Sequence, residues 1–381
     1  MKWASALSER ADATGALAEA TAALAEQLGG TGPDLVVAFL SPHHADAYEA
    51  LPAAVHAAFP GALLFGCSAA GVIGAGHEVE ARPALSLTAA ALPGVTLAPL
   101  GFDDAPTGSD WRARVGIRAE DDPQFLLLCD PFSCDADALV TGLDGAYPRG
   151  RKVGGVASGG TRPSENVLWA GELTQRGGAV GVAMTGDIAV DTIVAQGCRP
   201  IGEPMAITRA DGHVIRELGG KEPVAVMRAI FESLDARDQQ LFRHSLFVGL
   251  DMDEGAVEFR GEFLVRNIVG VDTNSGALAV GAQVRPWQVV QLLLRDAKTA
   301  EHDLTAHLER YRGRPAGALL FSCLGRGAQL FGRPDHDTDL FRARLGAVPL
   351  GGFFGNGEIG PVGGRTFLHG YTSAFGLFRH K

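Results

Sequence analysis

Membrane-length apolar runs, basic patches and a disulfide framework are all missing from this chain of 381 residues. The first absence argues against a membrane protein, since no stretch approaches the roughly 20 apolar residues that a helical span needs. The N-terminus "MKWASALSERADATGALAEATAALAEQLGG" also lacks the apolar core of a secretion signal, because Glu9, Arg10 and Asp12 interrupt it. A cytoplasmic location is expected. Acidic residues outnumber basic ones, giving a formal charge of -11, and no run of Lys and Arg is available to neutralise a row of phosphates. Neither nucleic acid nor membrane is expected as a partner.

Five cysteines, an odd number, form no obvious disulfide framework. Metal-binding spacings are missing too: there is no CxxC, HExxH or paired Cys/His motif, and Cys129 and Cys134 are separated by four intervening residues. No metal and no cofactor is expected. What is present is a soluble globular composition, 46% hydrophobic and 20% charged, in a chain long enough for about two domains.

"GALLFGCSAAG" near the start reappears as "GALLFSCLGRG" near the end. The letters occupy different slots, so the real repetition is architectural. "DLVVAFLSPHHADAYEALPAAVHAAFPGALLFGCSAAG" reads as strand, loop, helix over about 45–58, and strand ending in a glycine turn. "QFLLLCDPFSCDADALVTGLDGAYPRGRKVGGVASGG" repeats that order, with its helix over 135–143, as does the segment from "GALLFSCLGRG" to "GGFFGNGEIG", with its helix over 337–345. Three βαβ-like units result, each followed by alternating strand segments joined by turns: "ALSLTAAALPGVTLAPLGF", "VLWAGELTQRGGAVGVAMTGDIAVDTIVA" and "TFLHGYTSAFGLF". The expected fold is α/β, with mixed parallel and antiparallel sheets flanked by helices in two closely packed domains. An amphipathic helix is expected over 1–30, an α/β domain over 31–221 and a second over 222–381, with a hairpin turning at Asp211-Gly212 and helices from Pro223 and Ala300.

Two motif matches fail in context. "GNGEIG" fits GxGxxG, but Pro361, Gly363 and Gly364 follow where a helix should begin. "GCSAAG" resembles a nucleophile elbow with Ala70 in place of the second glycine, and Ser68 as a hydrogen-bonding turn residue explains it more simply. Cys67 and Cys323 fit buried strand ends better than activated thiolates, since neither has a histidine close by in sequence.

Glycine turns at 66–71, 154–160, 325–327 and 355–364 all follow expected strands, where backbone N–H groups can meet an anion. They nominate Gly66, Cys67, Ser68, Gly155, Ser158, Cys323, Gly352 and Gly357 as ligand-binding positions. Arg326 suits a carboxylate and Glu358 an ammonium, while Asn356 and His369 both donate and accept. This set fits a zwitterion such as an amino acid. Equally, Arg326 and Glu358 can simply pair with each other, and His369 can be a satisfied polar residue within a strand.

The stretches "FGCSAAGVI", "GCRPIGEPMAITRADGHVIRELGGKEPV", "FLVRNIVGVDTNSGALAVGAQV", "FSCLGRG" and "GGFFGNGEIGPVGGRTFLHGYTSAF" together resemble FIST proteins, FIST N followed by FIST C, over nearly the whole chain from about Pro33. The resemblance implies a sensory domain of intracellular signal transduction, in bacteria and eukaryotes, that binds small ligands such as amino acids. It supplies no catalytic residues. No output domain is evident, so the expected partners are a small ligand, an amino acid or small carboxylate, and a separate signalling protein. Two alternatives stay open: a cysteine-dependent hydrolase or transferase using Cys67 or Cys323 with His369 as base, and a protein-binding scaffold using the N-terminal helix.

Overall fold

The computed structural model describes residues 1–103, 110–252 and 262–381. The chain divides into two compact units, Met1–Ala195 with Leu304–Lys381, and Gln196–Asp303.

The first unit repeats one pattern three times: edge strand, helix, strand, helix, parallel strand, hairpin, return strand. The first repeat comprises β1 (Lys2–Ser8), α1 (Ala13–Leu28), β2 (Leu35–Leu40), α2 (Leu51–Ala58), β3 (Leu63–Ser68), the hairpin β4 (Gly71–Gly74) and β5 (His77–Glu80), and β6 (Leu85–Ala91). The second comprises β7 (Val95–Phe102), α3 (Trp111–Val115), β8 (Gln124–Cys129), α4 (Ala136–Ala146), β9 (Lys152–Val156), the hairpin β10 (Leu168–Ala170) and β11 (Leu173–Gln175), and β12 (Ala179–Gly186). The third opens with β13 (Ala189–Ala195), and the second unit is then inserted. That unit closes a barrel from β14 (Cys198–Asp211), β15 (Val214–Leu218), β16 (Leu246–Asp251), β17 (Phe263–Asp272), β18 (Ala277–Val280) and β19 (Val289–Arg295), with α5 (Pro223–Ser233) and α6 (Ala236–His244) between β15 and β16. The third repeat resumes with α7 (Ala297–Arg310), β20 (Gly317–Cys323), α8 (Gly327–Phe331), α9 (His336–Leu345), β21 (Leu350–Gly355), the hairpin β22 (Gly357–Val362) and β23 (Arg365–His369), and β24 (Ser373–Arg379).

The three sheets run β1-β6-β2-β3-β10-β11, β7-β12-β8-β9-β22-β23 and β13-β24-β20-β21-β4-β5. Each contains one parallel pair (β2 with β3, β8 with β9, β20 with β21), joined through a helix. On one side of that pair lie the return and edge strands. On the other lies a hairpin from a different repeat: the first repeat's hairpin completes the third sheet, the second's the first sheet, and the third's the second sheet. Strand segments read as consecutive pairs therefore part company. β6 and β7 lie in different sheets, as do β12 and β13, and β23 and β24.

Parallel strands buried on both faces need apolar residues at every position. Val37 and Phe39, Leu126 and Leu128, and Leu319 and Phe321 point into one core shared by the three sheets. Alternate residues face outward under helices: Val36 and Ala38 under α1 and α2, Leu127 with α3 and α4, and Leu320 with α7 and α9. Three glycines allow each parallel pair to close up. A Cβ on Gly66, Gly154 or Gly352 would fall 1.9, 1.8 and 1.9 Å from the carbonyl oxygens of Ala38, Leu127 and Leu320, their partners in the parallel register.

The opening thirty residues differ from the single helix expected of them. Residues 2–8 pair as β1 with β6, and the helix starts only after Asp12, whose carboxylate accepts from Gly15 N–H at 2.6 Å. An Ala-rich segment has strong helix propensity, and long-range pairing overrides it here. Compactness divides the chain at Ala195 and Leu304, while Lys221 lies between β15 and α5 within the second unit. Among the described residues no helix is long and apolar enough to cross a membrane.

Candidate functional site

The ends of β3, β9 and β21 meet inside the first unit. Register makes Ser68, Val156 and Phe354 equivalent, and Ala70, Ser158 and Asn356 lie two residues beyond them. Ser68 O accepts from Gly159 N at 3.2 Å, and Val156 O accepts from Asn356 N at 3.0 Å. The third link is made by a side chain: Ser158 Oγ accepts from Ala70 N at 2.9 Å and donates to Phe354 O. Ser158 thus pins the three repeats together. Ser68 is equally spent, bonding Asn166 Oδ1 at 3.2 Å and accepting from Val167 N at 3.1 Å. Asn356 donates its amide to Ala157 O at 2.8 Å. Gly155 and Gly357 pack against Phe353 and Leu368, Gly66 and Gly352 serve strand approach, and Cys67 is enclosed in the shared core.

Two unspent polar groups among the described residues lie near the carboxyl end of β20. Arg326 follows the Gly325 turn and is fully buried. Its Nε and Nη2 donate to Asp337 Oδ2 and Oδ1 at 2.9 and 3.0 Å, a bidentate pair. Its Nη1 meets no acceptor. Asp337, in the first turn of α9, also bonds His336 Nδ1 at 2.9 Å and accepts from Ser373 Oγ. Burial alone would raise its pKa, yet Arg326 and these bonds hold the carboxyl well below the usual range.

Glu358, on β22, is the second unspent group. Its Oε2 accepts from Thr372 N and Oγ1 at 3.1 and 2.8 Å. Its Oε1 accepts no N–H or O–H bond and has the Cys323 thiol beside the carboxyl. Burial pushes this carboxyl up to about 8, with the Thr372 bonds and the Arg326 charge offsetting only part of the effect. At neutral pH Glu358 is mostly the neutral acid, a donor as well as an acceptor. His369, opposite Glu358 in the β22–β23 register, is spoken for through Nε2 and Gly360 O at 2.9 Å.

The fold itself does not ask for a carboxylate at this place. Glu358 pairs with Gly155 of β9, Leu168 with Cys67 of β3, and Val72 with Phe353 of β21. Cys67, Gly155 and Phe353 each follow one of the three equivalent glycines. Two repeats therefore put a fully buried aliphatic residue where the third puts Glu358. Leaving part of a buried polar group unpaired costs on the order of 1–3 kcal/mol, and such costs gather at functional sites.

Sequence reading thus named Arg326, Glu358, Cys323 and His369, which the structure brings into one region; of the alternatives open for Arg326, a direct pair with Glu358 is not the one formed, because Asp337 takes that place. Asp337, Thr372 and Ser373 were missed. Cys323 and Cys67 both have thiols pushed up by burial, Cys323 to about 12, the reverse of what a nucleophile requires. A hairpin from the first repeat ties down the Arg326 segment: Glu78 Oε1 accepts from Thr338 N at 2.9 Å, Glu80 Oε1 from Ala328 N at 2.8 Å, and Asp335 Oδ1 from Glu78 N at 2.6 Å.

Comparison with known proteins finds a FIST N domain over residues 34–221 and a FIST C domain over 223–361. An uncharacterized Mycobacterium tuberculosis protein is 39% identical over 377 residues, covering 98% of each chain. Human F-box only protein 22 is 31% identical over 101 residues, 25% of each chain. Among solved structures, a cyanuric acid hydrolase from A. caulinodans aligns over 100% of this chain and 99% of its own at 9% identity, with a TM-score of 0.35, too distant to support an argument.

Proposed function

Because the chain belongs to the FIST family, whose domains are associated with signal-transduction sensing, we propose that it is a sensor whose Arg326 and Glu358 receive the carboxylate of a small molecule, an amino acid or a simple organic acid. The observation that carries this reading is the pair of fully buried, partly unspent groups, the Nη1 of Arg326 and the Oε1 of Glu358. A guanidinium N–H and a neutral carboxylic acid O–H both donate, and a carboxylate is the natural acceptor for both.

The same geometry supplies a response. A carboxylate arriving at Arg326 competes with Asp337 for the guanidinium, and Asp337 sits in the first turn of α9. Loosening that pair shifts the start of α9, which the first repeat's hairpin holds through Glu78. Binding is thereby converted into movement of one helix terminus relative to a neighbouring repeat.

A thermal-shift screen against the amino acids and small organic acids tests this, with Glu358→Leu, the residue type that the first sheet holds at the equivalent place, beside wild type. A ligand at about a hundred times its dissociation constant adds roughly 2.7 kcal/mol of stability. A carboxylate that stabilises wild type and fails to stabilise a folded Glu358→Leu protein supports the site. If no acid stabilises wild type, the carboxylate reading falls.

A further inference from the structure

A half-open pocket of about 330 Å³ lies at the surface of the first unit where α9, the β4–β5 turn and the loop into β21 meet, with Ser5, Gly76, Phe341, the exposed Arg342 and Leu350 in its walls. At the corresponding junction the second repeat places a buried ion pair. Lys152 at the start of β9 holds the register position that Leu350 holds at the start of β21. Its buried ammonium meets Asp144 at 2.7 Å, and Asp144 also accepts from Thr366 on the β22–β23 hairpin. Asp144 precedes Lys152 by the same eight residues that separate Arg342 from Leu350. The third repeat thus puts a cation where the second has an anion, and a leucine where the second has the neutralising lysine.

Arg342 keeps positive charge to offer. Its Nη2 donates to Asp339 at 2.8 Å, but Asp339 also serves Arg333 at 2.7 Å, so two guanidiniums share one carboxylate. Its Nη1 lies 3.6 Å from where a Cβ on Gly76 would stand, against the β4–β5 turn. In that turn Ala75 and Gly76 are both left-handed, with φ of 50° and 84°, as the two-residue loop between Gly74 and His77 requires. Phe341 and Leu350 contribute apolar wall.

We infer that this pocket is a second ligand site, taking a monocarboxylate with a compact apolar body, its carboxylate on Arg342 and its body against Phe341 and Leu350. The inference stands apart from the reading of Arg326 and Glu358. The two sites adjoin through α9, since Thr338 lines the pocket and follows Asp337 directly.

Benzoate and benzamide, alike in shape and different in charge, provide the test. Both are titrated by calorimetry into wild type, Glu358→Leu, and Glu358→Leu combined with Arg342→Gln or with Val348→Trp, Val348 being a further wall residue, with folding checked by circular dichroism. Glu358→Leu removes the donor of the other site, so what this protein binds belongs to the pocket at Arg342. In Glu358→Leu, benzoate should bind at least about tenfold more tightly than benzamide. Adding Arg342→Gln should erase that preference, and adding Val348→Trp should block both probes. The inference is overturned if the probes bind Glu358→Leu alike, if neither binds it, or if Arg342→Gln leaves benzoate binding intact. Benzoate that binds wild type and not Glu358→Leu would also overturn it, and would move the carboxylate to the Arg326 region.

Discussion

Replacing Glu358 by glutamine should flatten the pH dependence of stability. In the folded protein burial raises this carboxyl from its ordinary 4.5 to about 8, against the Thr372 bonds and the Arg326 charge. A folded value above the unfolded one means that folding takes up a proton between the two. The contribution of Glu358 is then fully present below about 4.5 and is lost as pH rises through about 8. Each unit is worth about 1.4 kcal/mol, so the contribution across the window is on the order of 5 kcal/mol, comparable with the whole stability of many domains. Glutamine keeps an acceptor for Thr372 and cannot ionise. Glu78 is raised to about 8, first by burial and then by Asp337, and acts with the same sign, so some slope persists in the variant. Urea unfolding between pH 5 and 8.5, followed by tryptophan fluorescence, should give two similar stabilities at pH 5 and a more stable Glu358→Gln protein at pH 8.5. Parallel curves across that range would refute the reasoning.

Other perturbations separate the structural roles from the functional ones. Ser158→Ala removes the pin between Ala70 N and Phe354 O, and chemical denaturation should show a loss of about 1–3 kcal/mol. Alanine at Gly66, Gly154 or Gly352 meets the same carbonyl clash, and the three variants should be destabilised to a similar degree, by about 1–3 kcal/mol or more. Asp337→Asn leaves Arg326 buried without its counter-charge and should cost about 3–5 kcal/mol by the same assay. Iodoacetamide should label Cys134 first in the native protein, since Cys67, Cys129, Cys198 and Cys323 are buried; mass mapping of the adducts gives the order.

The three parallel pairs were legible because strands buried on both faces leave continuous apolar runs, as in "LVVAFL", "QFLLLC" and "GALLFSC". Their helices were legible from period and caps: Asp135, for example, accepts from Ala138 N at 2.9 Å and opens α4. Partner choice was not legible. "ALSLTAAALPGVTLAPLGF" has a turn between two strands, but a local pattern specifies strands and not the sheets they join, and β6 and β7 part. β1 was hidden for the same reason, because its partner β6 lies some eighty residues on. At the site, residue chemistry alone pointed to Arg326 and Glu358. Asp337 escaped because "PDHDTD" reads as an acidic helix start, and nothing in that spelling tells which acid turns inward. Glu78 reaches α9 across 260 residues of sequence.

The most direct test of the carboxylate site is the affinity of the best-bound acid for wild type and Glu358→Gln, measured by calorimetry from pH 6 to 9. Neutral Glu358 donates to a bound carboxylate and ionised Glu358 repels it, so wild-type affinity should fall as pH passes about 8 while the variant, whose amide N–H donates at every pH, binds without that break. Equal affinities in the two proteins across the range would contradict the assignment of Glu358 to the site.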